Sequence, residues 1–454
     1  MNIIIVGAGE VGYHIASRLA SENKSVVVID KNPDATRRIA EDLDVQVLTG
    51  SGSNPRELQK AGIRNAEIML AVTDSDEINL IACLMTSLIS PTTKKLARLR
   101  STAFDPYHNT FKSQVPHIDT IINPETEVVN TIRRLMDVPG AVDVGDFADG
   151  AVKYVGIRID GGSPMNGLKL IDFVDRFGDD RPLIAAIIRD NEVIVPRGTN
   201  RIQAGDLVYF ICETEKLDFT LRQFGITSKP LRRALIVGGG RIGERLALKL
   251  ESESIACKII ESDMDRCREL SERMEKAVIL HGDGSDQNVF LEENITETDV
   301  VASVTGDDET NILVSLLVKS LGAQSSITRI SKFSYFPLLS AIGIEKVVSP
   351  RLSAVSSILQ DVRKGKILSA ISVFGERAEF IEAIALETSD ITNKPLRKLS
   401  FPKGAILICI MRNDEIIIPS GNSVVQPNDR IIMFALKQAV RKLEKLLTVK
   451  LEFF

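Results

Sequence analysis

The stretch Met1-Asn-Ile-Ile-Ile-Val-Gly-Ala-Gly-Glu-Val-Gly12 joins an apolar run to glycines at Gly7, Gly9 and Gly12, the pattern of a strand, a tight turn and a helix start. Eighteen residues beyond Gly12, a second apolar run, Val26-Val-Val-Ile29, ends in Asp30. That is where a dinucleotide-binding unit puts the carboxylate that holds ribose hydroxyls. A lone glycine fingerprint is weak evidence. Here the whole arrangement recurs: Ala234-Leu-Ile-Val237 runs into Gly238, Gly240 and Gly243, and eighteen residues later Ile259-Ile260 ends in Glu261.

Outward from the first cradle, Val11, Ile15 and Leu19 recur at helical spacing and predict a helix from about Glu10 to Ser21. Strands are expected at Val45–Leu48, Glu67–Val72, Lys95–Leu99 and Ile118–Ile122, alternating with helices at Pro33–Leu43, Pro55–Ala61 and Asn79–Leu88. Such alternation makes a doubly wound parallel sheet, a Rossmann-like α/β fold. A further helix from Pro124 to about Met136 stops at Pro139-Gly140, an exit from the first domain. Short β-type runs follow at Lys153–Ile159, Leu183–Ile188, Glu192–Val195 and Asp206–Ile211, with one helix near Leu168–Phe177, giving a small α+β module.

The order then repeats, with strands at Val278–Leu280, Val300–Val304, Ile327–Ile330 and Glu345–Val348 and a helix from Pro350 to about Arg363. The small module returns as well: Arg189-Asp-Asn-Glu-Val-Ile-Val-Pro196 matches Arg412-Asn-Asp-Glu-Ile-Ile-Ile-Pro419, and Gln203-Ala-Gly-Asp206 matches Gln426-Pro-Asn-Asp429. The chain therefore reads as a tandem duplication: Rossmann-like lobe 1–137, small module 138–227, second lobe 228–364 and second module 365–454.

Composition narrows the function. The 454 residues carry a net charge of −5, with basic and acidic residues interspersed, which lacks the electrostatic footprint of a nucleic-acid binder. Hydrophobic residues make up 44% and charged ones 26%, and no apolar run approaches the roughly 18 residues of a membrane span. The N-terminus opens directly on a strand, without a secretory signal, and a cytosolic location is expected. The five cysteines form no Cys-x-x-Cys pair and fit reduced thiols. The four histidines, His14, His108, His117 and His281, lack metal-ligand spacing, so no metal site is expected.

Glycine-rich turns let backbone amides and a helix N-terminus meet a pyrophosphate. The candidate nucleotide-binding residues are thus Gly7, Ala8, Gly9, Glu10, Val11 and Gly12, with Gly238, Gly239, Gly240, Arg241, Ile242 and Gly243 in the second copy. Asp30 and Glu261 suit a diol and repel a 2′-phosphate, favouring NAD(H) or adenine nucleotides over NADP. Thr73 and Asp74, and Thr305 and Gly306, stand at the ends of the fourth strands, where they border a ligand; helix capping by Thr73 and Thr305, or by the acids after them, explains them as well. Arg98 and Arg329 occupy matching places in the fifth strands, where a guanidinium must point to an edge, a carboxylate or a phosphate, which leaves a ligand or an interdomain ion pair open. His14 and His281 have no nucleophile or base arranged around them in sequence, which points to structural or surface roles. The cradles differ in charge: Glu10 would compete with a phosphate where Arg241 would attract one.

At these residues the chain resembles the TrkA family, the regulatory subunits of Trk-type potassium uptake, built from two regulator-of-potassium-conductance (RCK, or KTN) units. The resemblance lies in Gly7-Ala-Gly-Glu-Val-Gly12, in Ala71-Val-Thr-Asp-Ser-Asp-Glu77 with Asn79, in Glu261, and in Thr305-Gly-Asp-Asp-Glu309 with Asn311, and it spans the chain. Ser51 departs from it, standing where the second half has Asp283. The resemblance implies a non-enzymatic protein peripheral to the cytoplasmic face of the inner membrane, docked on a membrane-embedded potassium-translocating subunit. It also implies NAD(H), with ATP or ADP as further ligands, and a homotetramer whose eight N-lobes form a gating ring. The competing reading is an NAD-dependent oxidoreductase. That needs a substrate domain contributing a proton donor or acceptor beside the nicotinamide, and the small modules contain no histidine. A scaffold with vestigial cradles is the third reading, disfavoured because both cradles keep their glycines and acid together. The terminal Glu452-Phe-Phe454 carries no assigned role.

Overall fold

A computed structural model describes residues 1–227, 229–362, 367–374, 377–413 and 415–447; Glu452–Phe454 and Arg363 lie outside them. Strands β1 (Asn2–Val6), β2 (Ser25–Asp30), β3 (Gln46–Thr49), β4 (Ile68–Ala71), β5 (Lys94–Arg98) and β6 (Thr120–Ile122) form one parallel sheet in the order β3-β2-β1-β4-β5-β6. Between them run α1 (Glu10–Ser21), α2 (Pro33–Asp42), α3 (Pro55–Lys60), α4 (Asp76–Ile89) and α5 (His108–Ser113), and α6 (Pro124–Asp137) follows β6. The strand order reverses between β1 and β4, and their carboxyl ends open the crevice where such sheets take ligands.

The small module is a five-stranded antiparallel sheet of β7 (Ala141–Phe147), β8 (Val152–Arg158), β9 (Leu183–Arg189), β10 (Glu192–Ile194) and β11 (Leu207–Glu213), with α7 (Phe173–Phe177) and α8 (Leu217–Gln223). Sequence reading missed β7, whose apolar residues are broken up by Asp143, Gly145 and Asp146. The second lobe contains β12 (Arg233–Val237), α9 (Arg241–Ser252), β13 (Ala256–Glu261), α10 (Met264–Arg273), β14 (Val278–His281) and α11 (Gln287–Glu292). It continues through β15 (Val300–Ser303), α12 (Asp308–Ser320), β16 (Ser326–Arg329), α13 (Phe336–Leu339) and β17 (Val347–Val348), in the same 3-2-1-4-5-6 order. Then come α14 (Pro350–Val362), β18 (Ile367–Val373), β19 (Ala378–Ile384), β20 (Ala405–Arg412), β21 (Glu415–Ile417), β22 (Arg430–Leu436) and α15 (Lys437–Leu447).

By packing, the chain divides into two compact units. One unit is residues 1–127 together with α14; the other is residues 128–349 with the described residues from 367 onward. In the first unit, Ala354, Val355, Ile358, Leu359 and Val362 of α14 share a core with Ile15 and Leu19 of α1 and with Ile3, Ile5 and Leu96 of the sheet. Each buried Val, Leu or Ile contributes about 1.5–3 kcal/mol, so a borrowed helix supplies much of that core. In the second unit, Val128, Val129 and Ile132 of α6 pack with Ile236 and Leu246 of the second lobe and with Val155 and Phe210 of the small module. The helix ending each lobe in sequence thus completes the other unit.

Within the second unit the two antiparallel sheets share an aromatic core in which Phe147, Tyr154 and Tyr209 meet Phe380 and Phe434, the Tyr154 and Phe380 rings stacking at 5.0 Å. The repeated Arg and Asp of the modules pair in both copies. Asp206, 1% exposed, accepts from Arg189 Nε at 2.7 Å and Nη2 at 2.8 Å and from the Gln203 amide at 2.8 Å. Asp429 accepts from Arg412 at 2.9 and 2.8 Å and from the Gln426 amide at 2.7 Å. The five cysteines are free thiols. Among the described residues, no helix is long and apolar enough to cross a membrane.

Candidate functional site

The first cradle is shaped by close approaches that exclude side chains. Gly7 adopts φ +115°, and a Cβ there would lie 3.0 Å from the Thr73 amide. A Cβ on Gly12 would lie 1.8 Å from the Gly7 carbonyl oxygen, so only glycine lets α1 rest on the loop. Gly9 faces open space. It is the N-cap of α1 and supplies no side-chain cap, which leaves first-turn amides for an anion. Ala8 contributes its amide: Asp30 Oδ2 accepts from Ala8 N at 2.6 Å and Oδ1 from Asn32 N at 2.8 Å. A carboxylate offers about four lone-pair sites, so Asp30 can brace the loop and still accept a diol.

The end of β4 is held by a side-chain clasp. Asn79, fully buried, accepts at Oδ1 from the Thr73 amide at 2.9 Å and hydroxyl at 2.7 Å, and its Nδ2 donates to the Arg98 carbonyl at 2.8 Å. The same clasp recurs in the second lobe, where Asn311 accepts from Thr305 at 2.8 and 2.9 Å and donates to Arg329 O at 3.1 Å. The helix caps are Ser75 in the first lobe and, in the second, Asp307, one of the acids that follow Thr305. Thr73 borders the first cleft while its hydroxyl holds the loop.

That cleft has a volume of about 440 Å³. It brings together Gly7, Gly9, Glu10 and Val11 from the cradle with Asp30, Thr73, Asp74 and Arg98. Gly12 sits behind, against Gly7. Burial lowers the Arg98 guanidinium below its ordinary value, Arg100 and Arg351 push it the same way, and Glu125 and Asp76 oppose. Arg98 Nε is buried and finds no hydrogen-bond partner among the described residues. A cation so placed suits a phosphate.

Sequence reading missed two further arginines of the cleft, Arg100 and Arg351. Arg100 donates to the Asp74 carbonyl, and its own amide is held by Asp76 at 3.0 Å. Its signal was available, since it lies two residues beyond Arg98, on the same face of an extended chain. Arg351 enters on α14 and has no local signal. Opposite these cations, Glu10 Oε1 accepts from Arg38 at 3.0 Å and Oε2 lies 3.5 Å from Arg351. Burial raises the Glu10 carboxyl, but the Arg38 hydrogen bond and the charges of Arg351, Arg38 and His14 outweigh it, leaving the group below its ordinary value. Ser51 also borders the cleft, bonded to Ser53 at 2.8 Å.

The second cradle repeats the backbone and changes the side chains. Gly238 has φ +104°, a Cβ on Gly243 would lie 2.0 Å from Gly238 O, and Gly240 and Gly306 face open space. Glu261 accepts from Gly239 N at 2.7 Å and Asp263 N at 2.9 Å, matching Asp30. Arg241 opens α9 exposed, and Ile242 is buried beneath it. Where Ala35 borders the first cleft, Arg266 crosses the loop here, donating to Gly239 O at 2.9 Å and Glu244 at 2.5 Å. Arg329 donates to the Thr305 carbonyl. His281 places Nε2 3.1 Å from the Ser262 carbonyl, and Asp283 is engaged by Ser285 at 2.8 Å.

Family models match the same duplication, the TrkA-N domain at residues 3–124 and 234–350 and the TrkA-C domain at 154–225 and 380–448. The chain belongs to the TrkA family. It is 37% identical over 459 residues to the Trk system potassium uptake protein TrkA of Azorhizobium caulinodans and 36% identical over 458 residues to that of Halomonas elongata, each match covering 100% of both chains. A TrkA homologue of Methanosarcina mazei is 37% identical, covering 98% of this chain and 99% of its own. The GsuK RCK domain superposes with a TM-score of 0.61 at 18% identity, covering 98% of this chain and 94% of that one. The GsuK channel bound to NAD gives 0.60 at 17%, covering 98% and 78%. These structural matches bear on the fold, which is the tandem RCK architecture. As a TrkA-family member the chain falls among potassium-uptake proteins rather than oxidoreductases.

Proposed function

We propose that the protein is the nucleotide-sensing regulatory subunit of a Trk-type potassium uptake system. It binds NAD(H), with ATP or ADP as alternatives, in its N-lobes and controls a membrane-embedded potassium-translocating subunit from the cytoplasmic face. The observation that carries this reading is the first cleft, where a glycine loop, an uncapped helix start and three arginines face an acid able to hold a ribose. The relatives' names supply the potassium system, and the NAD-bound GsuK channel supplies a ligand precedent on the same fold. Duplication puts two N-lobes in one chain, so four chains make a ring of eight. Nucleotide then acts by binding one arrangement of the ring more tightly than another.

Potassium flux through the reconstituted membrane partner tests this directly. Flux is expected to change when this protein is added and to change again with NAD(H), ADP or ATP. Flux indifferent to both additions would end the proposal.

A further inference from the structure

The first cleft contains an anion of its own. Glu10 is the first residue of α1, where the helix dipole and open amides draw negative charge, and it is 36% exposed. Its carboxylate engages two cations from distant parts of the chain: Arg38 of α2 and Arg351 of α14, the latter 30% exposed. Arg351 borders the cleft, as do Arg98 and Arg100. A phosphate entering here would make the same demands that Glu10 already meets. In the second cradle the matching charges are exchanged, Arg241 standing for Glu10 and Glu269 for Arg38, so nothing about the fold requires an acid at this position.

We propose that Glu10 sets the phosphate-charge specificity of the first cradle by occupying Arg351. With Glu10 in place, the cradle accepts the pyrophosphate diester of a dinucleotide and disfavours the additional charged terminal phosphate of a nucleoside triphosphate. Without the carboxylate, Arg351 is released to that phosphate. The proposal rests on the reading of this cleft as a nucleotide site.

The test is a calorimetric titration of the full-length chain with NAD⁺, ADP and ATP, comparing the parent with Glu10→Gln, Arg351→Ala and the double variant. Glu10→Gln is expected to tighten ATP binding at one site about tenfold while moving NAD⁺ less than about threefold, as befits one charge contact in a half-buried cleft. Arg351→Ala should abolish that gain in the double variant. A stability effect of either substitution would shift all three ligands together, whereas the proposal requires the ATP to NAD⁺ ratio to move. Parent protein that binds no nucleotide overturns the cleft reading and this proposal with it. Parent binding with an unchanged ratio in Glu10→Gln, or a gain that survives Arg351→Ala, overturns this proposal alone.

Discussion

Under the proposed function, Arg98 trades stability for nucleotide binding. It lies in β5 beside the buried Leu96, Ala97 and Leu99, pushed down first by burial and then by Arg100, with its Nε unmatched. A buried charge short of partners costs folding energy that an apolar side chain of similar length does not. Arg98→Met is therefore expected to raise the melting temperature of the ligand-free protein by a few degrees and to weaken nucleotide binding about tenfold or more. Thermal shift with and without NAD(H) reads both, and an unchanged ligand-induced shift would remove Arg98 from the site. Residues with a local signature, such as Gly7, Gly12, Asp30 and Arg98, were legible in sequence because strand, turn and helix fix their geometry. Thr73 was legible only as a position; its hydroxyl goes to Asn79, a contact six residues away that no strand-end rule anticipates.

At the scale of elements, the repeated motif of the small modules acquires a physical reason. Arg189 and Asp206 close β9 onto the turn before β11 through a two-pronged ion pair, and Arg412 and Asp429 do the same in the second copy. Asp206→Ala is expected to destabilise the first module by about 3 kcal/mol, because Arg189 loses its partner and the Gln203 amide its acceptor. Arg189→Lys should lose part of this, since an ammonium cannot bridge both oxygens in the same plane. Urea dependence of hydrogen exchange in β9 and β11 measures it; protection equal to the parent in both variants would make the pair decorative. The strands of both Rossmann sheets were legible as apolar runs punctuated by glycine and acid. Strand β7 was not, because its polar residues are accommodated by tertiary partners: Asp143 accepts from the Tyr154 and Tyr209 hydroxyls at 3.3 and 3.2 Å.

For the whole molecule, the decisive fact is that α14 completes the first unit while α6, from Val128 onward, belongs to the second. Both helices were legible as helices; their destinations were not, since an apolar face states that it must be covered and not by what. Residues 1–227 produced alone should expose the surface that Ala354, Ile358 and Leu359 cover and aggregate or self-associate. Co-production with residues 229–454 should restore a soluble complex with the parent's nucleotide-dependent thermal shift, and a monodisperse, ligand-responsive 1–227 fragment would contradict this. The exchange also dictates an order of assembly on the ribosome. At about 5–20 residues per second, the residues separating the first lobe from α14 take roughly 10–45 s to be made. The lobe that emerges first must wait that long for its last helix, so the core of the N-terminal unit closes only once most of the chain exists.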